Sequence, residues 1–298
     1  MKAVRFDHYG PADVLTVLDV DDPGFPGPDE VLIEVRAVAL NGGDTKVRRG
    51  RLPIRPLPAG LGRECSGVIA AVGDNVSELM VGQSVIASHD PSLQERVRVA
   101  AHLVTPRPHG LTWEQAACLT VAGQTAWVAA ESQAVQPHDI VVVSGAAGGV
   151  GTFLCQLLLE RGATVIGLAG AHHHDYLESL GVLPLQHGPY LAGRLEAMSP
   201  QGIHRVFDLT GPDVIEAGLE LGVPRERINS LSGFGELYGV PTVGRQGLNP
   251  DIIDEIASRM LSGRLALPIT TFPFDETVKA FVHFEETPTR GKVVVVTD

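Results

Sequence analysis

The sequence predicts an α/β protein of two domains, a small β-barrel-like domain and a doubly wound parallel sheet. Three observations carry this. Residues 140–170 read IVVVSGAAGGVGTFLCQLLLERGATVIGLAG, which is strand, glycine-rich turn, helix and strand in that order. The first hundred residues instead break into short strands punctuated by Gly, Pro and Asp. At 298 residues the chain also exceeds the usual size of one hydrophobic core.

In the first domain, strands are expected at Lys2 to Phe6, Leu15 to Val20, Val31 to Leu40, Gly67 to Val72, Ser84 to Ala87 and Glu95 to Val99, with turns at Pro23 to Pro28 and Gly73-Asp74-Asn75. Asn41-Gly42-Gly43-Asp44 ends one strand, and Asp44 is placed to N-cap a short helix through Arg49. The character changes at Thr112. Thr112-Trp113-Glu114-Gln115 is a capping box that starts a helix, and a second helix is expected over Gly123 to Glu131, so the boundary falls near Leu111.

The wholly apolar, β-branched run Ile140 to Val143 is what a strand buried on both faces requires. Phe153, Leu154, Leu157 and Leu158 then recur at helical spacing, and Arg161-Gly162 stops that helix before a second strand from Thr164 to Ala169. Glycines in the first βα turn let backbone N–H groups approach a pyrophosphate, whose charge the helix dipole favours. Ala147, Gly148, Gly149 and Val150 are the expected phosphate contacts, and Ala146, Gly148 and Gly151 stand at the three glycine positions of the dinucleotide fingerprint.

Roughly twenty residues beyond such a turn, an NAD enzyme places Asp or Glu on the ribose 2′-hydroxyl. Here that strand ends Gly167-Leu168-Ala169-Gly170, so a 2′-phosphate meets no repulsion and NADP is favoured. His172, His173 and His174 follow, and read either as donors to that phosphate or as an exposed polar loop. Farther on, Val206 to Leu209, Val214 to Gly222 and Ile228 to Leu231 continue the sheet as strand, helix and strand. Asn249-Pro250-Asp251 starts a helix that Gly263 stops, Asp275 starts another through Phe284, and Lys292 to Val296 is a closing strand that returns to the first domain.

A net charge of −12, with only Lys46, Arg48, Arg49 and Arg51 as a basic cluster, argues against nucleic acid or an anionic membrane as partner. Cys65, Cys118 and Cys155 are too few for a disulfide framework or a structural zinc site, and a reducing cytoplasm is the natural setting. No run reaches transmembrane length, and Met1-Lys2-Ala3-Val4-Arg5 opens no secretory leader.

The order of these motifs resembles the zinc-free quinone oxidoreductase branch of the medium-chain dehydrogenase/reductase superfamily. AVALNGGDTKVRRG resembles its Asn-x-x-Asp segment, LTWEQAACLTVAGQTAW its helix into the cofactor domain, SGAAGGVG its phosphate loop and RGKVVV its closing strand. LGRECSGVIAAVGDNV is similar to the segment that carries a zinc-binding His in the alcohol dehydrogenases.

The resemblance implies a GroES-like catalytic domain (1–111 and 265–298) around an inserted Rossmann domain (112–264), and a homodimer. It implies Asn41 near the nicotinamide ribose and acceptor carbonyl, Thr125 near the carboxamide, and Gly170, His172, Phe234 and Lys292 in the coenzyme site. Each has a plainer reading: Asn41 closes a strand, and Thr125 bonds back within its helix. Lys46 either stabilises or protonates the oxyanion, or is a solvated side chain. At the dehydrogenase zinc positions stand Asn41, Arg63 and, near the third, Cys118; Arg63 is expected to fill the space by pairing with Asp44 or Glu64, and no metal is expected.

Without a Lewis acid, the easiest hydride chemistry is addition to a conjugated acceptor, whose charge delocalises onto an oxygen. The expected activity is NADPH-dependent reduction of a quinone or α,β-unsaturated carbonyl. An enoyl reductase for a thioester or polyketide-derived intermediate is the alternative, and a non-catalytic NADP(H)-binding protein a third reading.

Overall fold

The structure, a computed structural model, describes residues 1–52 and 56–297. The chain divides into two compact units, one comprising Met1–Val121, Gly247–Ser262 and Pro268–Asp298, the other Ala122–Gln246 and Gly263–Leu267. No helix among the described residues is long and apolar enough to cross a membrane.

The first unit begins with β1 (Lys2–Arg5), β2 (Thr16–Asp19), β3 (Glu30–Ala39), α1 (Gly42–Arg48), β4 (Cys65–Val72), β5 (Ser84–Ala87), β6 (Arg96–Ala100), β7 (Val104–Pro106) and α2 (Trp113–Ala116). In the second unit follow α3 (Gln124–Ser132), β8 (Ile140–Ser144), α4 (Gly149–Glu160), β9 (Thr164–Leu168), α5 (His174–Ser179), β10 (Leu183–Leu185), α6 (Leu191–Met198), β11 (Arg205–Asp208), α7 (Asp213–Glu220), β12 (Ile228–Ser230) and α8 (Gly235–Tyr238). The first unit is completed by α9 (Pro250–Leu261), β13 (Ile269–Pro273), α10 (Thr277–Glu286) and β14 (Lys292–Val296).

β3 is the spine of the first unit. It pairs antiparallel with β4, β6 and β14, and two register shifts, at Leu32/Ile33 and Val35/Ala37, bend it around the core. That core gathers Val31, Ile33, Val35, Ile69, Val85, Val97, Phe281, Val293 and Val295 from strands and from α10. The closing strand does return to this unit, with Val294 opposite Ala39.

The second unit is a five-stranded parallel sheet in the order β10-β9-β8-β11-β12. Every residue of central β8 is buried, as its apolar run requires. The strand order reverses between β8 and β11. In open α/β sheets ligands bind outside the strand C-termini at such a switch point.

The structure departs from the sequence reading in several places. The helix after β3 is capped by Asn41, not Asp44: Asp44 occupies the third helical position, and its carboxylate accepts the Asn41 N–H at 2.8 Å. The Thr112 capping box forms as expected, but α2 lasts one turn, and a π-helical segment, Leu119–Gly123, separates it from α3. The division of the chain also differs from the expected 112–264. Ser66 donates to the Trp113 carbonyl at 2.7 Å and Glu64 accepts the Val121 N–H at 2.7 Å, which ties this stretch to the first unit. The amphipathic α9 belongs to the first unit as well.

Candidate functional site

In the second unit, β8 delivers the chain into the turn Gly145 to Gly151. Gly145 has φ +62°, a left-handed value that favours glycine, and a Cβ there would lie 2.7 Å from the Thr210 methyl. A Cβ on Gly151 would lie 2.1 Å from the Gly145 carbonyl oxygen, so only glycine lets α4 start this close to the turn. Ala146 donates to the Leu168 carbonyl at 3.1 Å, which pins the turn to the end of β9. The first-turn N–H groups of α4 have no intrahelical partners, and the Gly148 cap offers no side chain to satisfy them. Ala147, Gly148, Gly149 and Val150 therefore form a backbone cradle suited to a polyphosphate.

β9 ends without a carboxylate, and the first acidic residue beyond it is Asp175, exposed in the first turn of α5. His172 is exposed and its ring lies over Gly170, where a Cβ would come within 2.4 Å of Cε1. His173 is buried and packs edge-on to His172 with ring centroids 4.0 Å apart. The three histidines thus divide, and His172 alone of the three is exposed. Thr125 is half-buried on α3. Phe234 caps α8 and packs against the sheet core. Sequence reasoning missed Asp208, the last residue of β11, whose buried carboxylate is ringed by serines and backbone donors.

The first unit holds a buried polar network. Glu64 is fully buried, and its carboxylate accepts from Asn41 Nδ2 at 3.0 Å, Lys292 Nζ at 3.1 Å, the Thr120 hydroxyl at 3.0 Å and the Val121 N–H at 2.7 Å. The π-helical segment turns Thr120 and Val121 toward that carboxylate, a local irregularity of the kind found at functional sites. Lys292 is 3% exposed and spends its three ammonium protons on Leu40 O at 2.6 Å, Asn41 Oδ1 at 2.8 Å and Glu64. Asn41 also donates to Ala39 O at 3.1 Å. The structure thus brings Asn41 and Lys292 together, and Lys46 lies half-buried on α1.

Asp44 lies on the same helix, fully buried, with Oδ1 accepting the Gly62 N–H at 3.2 Å. Burial pushes its carboxyl up to about 7, against the lowering effect of the Asn41 and Gly62 N–H groups and of Lys292.

These residues do not fit a zinc ion. The Cys118 thiol donates to the Glu114 carbonyl at 3.1 Å, and burial drives it far above the ordinary thiol range, with Lys292 opposing this only in part. Glu64 already serves the Lys292 ammonium. Arg63 is exposed and pairs with neither Asp44 nor Glu64, contrary to expectation; Lys292 provides the positive charge beside Glu64 instead. Among the described residues, no three His, Cys, Asp or Glu are grouped to hold a metal ion.

Comparison with known proteins places this geometry in a family. The alcohol dehydrogenase GroES-like domain matches residues 27–119, and the zinc-binding dehydrogenase family matches residues 120–295. A quinone oxidoreductase of Pseudomonas aeruginosa is 28% identical, over 99% of this chain and 99% of its own. The structure of the quinone oxidoreductase of Coxiella burnetii aligns with a TM-score of 0.89 at 28% identity, covering 100% of this chain and 99% of that one. A mycobacterial protein complexed with NADPH aligns with a TM-score of 0.87 at 25% identity, over 99% of this chain and 100% of that one. The chain belongs to the zinc-binding dehydrogenase family, within the quinone oxidoreductase branch of the medium-chain dehydrogenase/reductase superfamily.

Proposed function

We propose that this protein is an NADPH-dependent oxidoreductase that reduces a conjugated acceptor, a quinone or an α,β-unsaturated carbonyl. The observation that carries this is the backbone cradle at the switch point of the parallel sheet, beside a strand end that has no acid and is followed by the exposed His172. Bound there, a nicotinamide coenzyme supplies a hydride to an acceptor able to spread the incoming charge onto an oxygen.

The chain's own residues hold and orient. Ala147, Gly148, Gly149 and Val150 take the pyrophosphate, and Gly170 leaves room for the adenosine ribose. The exposed His172 donates to the 2′-phosphate, and Phe234 borders the coenzyme. Thr125, half-buried on α3, offers its hydroxyl to the carboxamide. Asn41 and Lys292 act from within the Glu64 network, where they fix the end of β3 and the start of α1. Lys46, on that helix, carries the ammonium that stabilises or protonates the acceptor oxygen.

The quinone oxidoreductase of Pseudomonas aeruginosa and the NADPH complex of the mycobacterial relative support this reading. We place the protein in the cytoplasm as a homodimer, which light scattering tests. The deciding experiment follows NADPH oxidation against a quinone, an alkyl enone and an enoyl thioester. Turnover with the quinone or enone is expected. Turnover with the thioester alone would make the protein an enoyl reductase, and silence on all three would leave a coenzyme-binding protein without catalysis.

A further inference from the structure

Asp208 ends β11 at the C-terminal edge of the parallel sheet and is fully buried. Its Oδ1 accepts the Thr210 N–H at 3.0 Å, the Gly211 N–H at 2.8 Å and the Ser144 hydroxyl at 3.3 Å. Its Oδ2 accepts the Ser230 hydroxyl at 2.8 Å and the Ser232 hydroxyl. Ser144 in turn accepts the Leu209 N–H at 2.8 Å. One carboxylate therefore joins the ends of three neighbouring strands, β8, β11 and β12, and both loops that leave the latter two.

A buried carboxylate is a poor choice if stability alone is at stake, because its desolvation must be offset donor by donor. Its distinguishing effect is geometric. The carboxylate folds residues 209–211 back so that the Thr210 methyl rests against Gly145, the first residue of the glycine turn that leads into the phosphate cradle. The strand order reverses between β8 and β11, so this is also the switch point at which such sheets take ligands. The same carboxylate, through Ser230 and Ser232, fixes the loop that leads to Phe234.

We propose that Asp208 is the positioning residue of the coenzyme site: it locks the post-β11 and post-β12 loops to the glycine turn as one rigid rim, and coenzyme affinity depends on that lock. This rests on the reading of the cradle as a nicotinamide coenzyme site. Asp208 itself touches backbone and serine, and its effect reaches the coenzyme through Thr210, Gly145 and the serine loop.

The test uses the full chain as wild type, Asp208→Ala, Asp208→Asn and the double variant Ser230→Ala/Ser232→Ala. NADPH affinity is measured by fluorescence titration, kcat and KM with a quinone, and hydrogen exchange at residues 209–211. Asp208→Ala is expected to raise the Kd and KM for NADPH about tenfold or more, with kcat at saturating NADPH within about threefold of wild type and faster exchange at 209–211. Asp208→Asn keeps an oxygen for the two N–H groups and gives its NH₂ to the serine oxygens, so it is expected to hold affinity within about threefold.

Unchanged NADPH affinity in a folded Asp208→Ala variant overturns the proposal, as does a loss that the Asn variant shares in full. If the Ala variant does not fold, the double serine variant decides: a Kd raised at least about threefold supports the lock, and an unchanged Kd ends it. Wild-type protein that binds neither NADPH nor NADH overturns the functional reading and this proposal with it, whereas wild-type binding with an indifferent Asp208→Ala overturns only the role of Asp208.

Discussion

Lys292 on the last strand and Glu64 just before β4 meet at 3.1 Å, 228 residues apart in sequence, with side chains only 3% and 0% exposed. Removing one partner of such a pair leaves a buried charge unmatched, and losses of about 3–5 kcal/mol are typical. Lys292→Met is expected to lower unfolding stability by that order in urea titrations. The double variant Lys292→Met/Glu64→Gln, which removes both charges, should recover part of the loss. Equal stability of wild type and Lys292→Met would show that the pair does not hold β14 against the Asn41 turn.

Asp44 gives the same unit a pH signature of opposite sign to that of an ordinary paired carboxylate. Its carboxyl is pushed from 3.8 up to about 7, burial being the largest cause. Between those values the folded protein keeps a proton that the unfolded chain releases, so this group takes stability away as pH rises from about 4 to about 7, by at most roughly 4 kcal/mol. The stability of Asp44→Asn relative to wild type should therefore be most favourable near pH 8 and fall as the pH is lowered to 4. A difference independent of pH would mean that Asp44 is ionised throughout.

The extent to which the sequence declared these features follows from physics. The β8–α4–β9 unit was legible because each part has its own local signature: an apolar run, glycines where a Cβ would strike the backbone, and helical periodicity. Asn41 and Lys292 are singled out in the sequence only through family resemblance. Their meeting at Glu64 was not legible, because a contact across 228 residues leaves no local trace. Arg63 and Asp44 show the complementary failure. Both were assigned by proximity in sequence, yet backbone N–H groups claim Asp44 and solvent claims Arg63. β10 and α6 were not anticipated because residues 183–198 lack strong periodicity, and parallel pairing with β9 defines the strand.

Gly151 should be the least replaceable residue of the glycine turn. A Cβ there would lie 2.1 Å from the Gly145 carbonyl oxygen and 2.8 Å from the Ala146 Cα, both backbone atoms, so the helix and turn must separate. Gly151→Ala is expected to weaken NADPH binding by about tenfold or more and to lower the melting temperature. Gly193→Ala, on α6 with nothing within 4 Å of the new carbon, is the control. It should leave coenzyme affinity unchanged and raise stability by about 0.4–1 kcal/mol. Comparable behaviour of the two variants would remove the packing argument for the turn.

His172 allows the coenzyme preference to be tested, because the residue is exposed just beyond β9, with its ring set against that of His173. If its imidazole donates to the 2′-phosphate, His172→Ala loses a hydrogen bond that NADH, lacking that phosphate, never makes. The KM for NADPH should then rise about two- to tenfold while the KM for NADH stays the same. His172→Glu should go further in the same direction, because a carboxylate repels the 2′-phosphate and accepts from a free 2′-hydroxyl, so NADH should gain as NADPH loses. The ratio of the two KM values separates this from a general disturbance of the Gly170 turn, which would move both coenzymes together. Equal changes for NADPH and NADH in both variants would assign His172 to an exposed polar loop and would leave the missing acid at the end of β9 as the sole basis for an NADP preference.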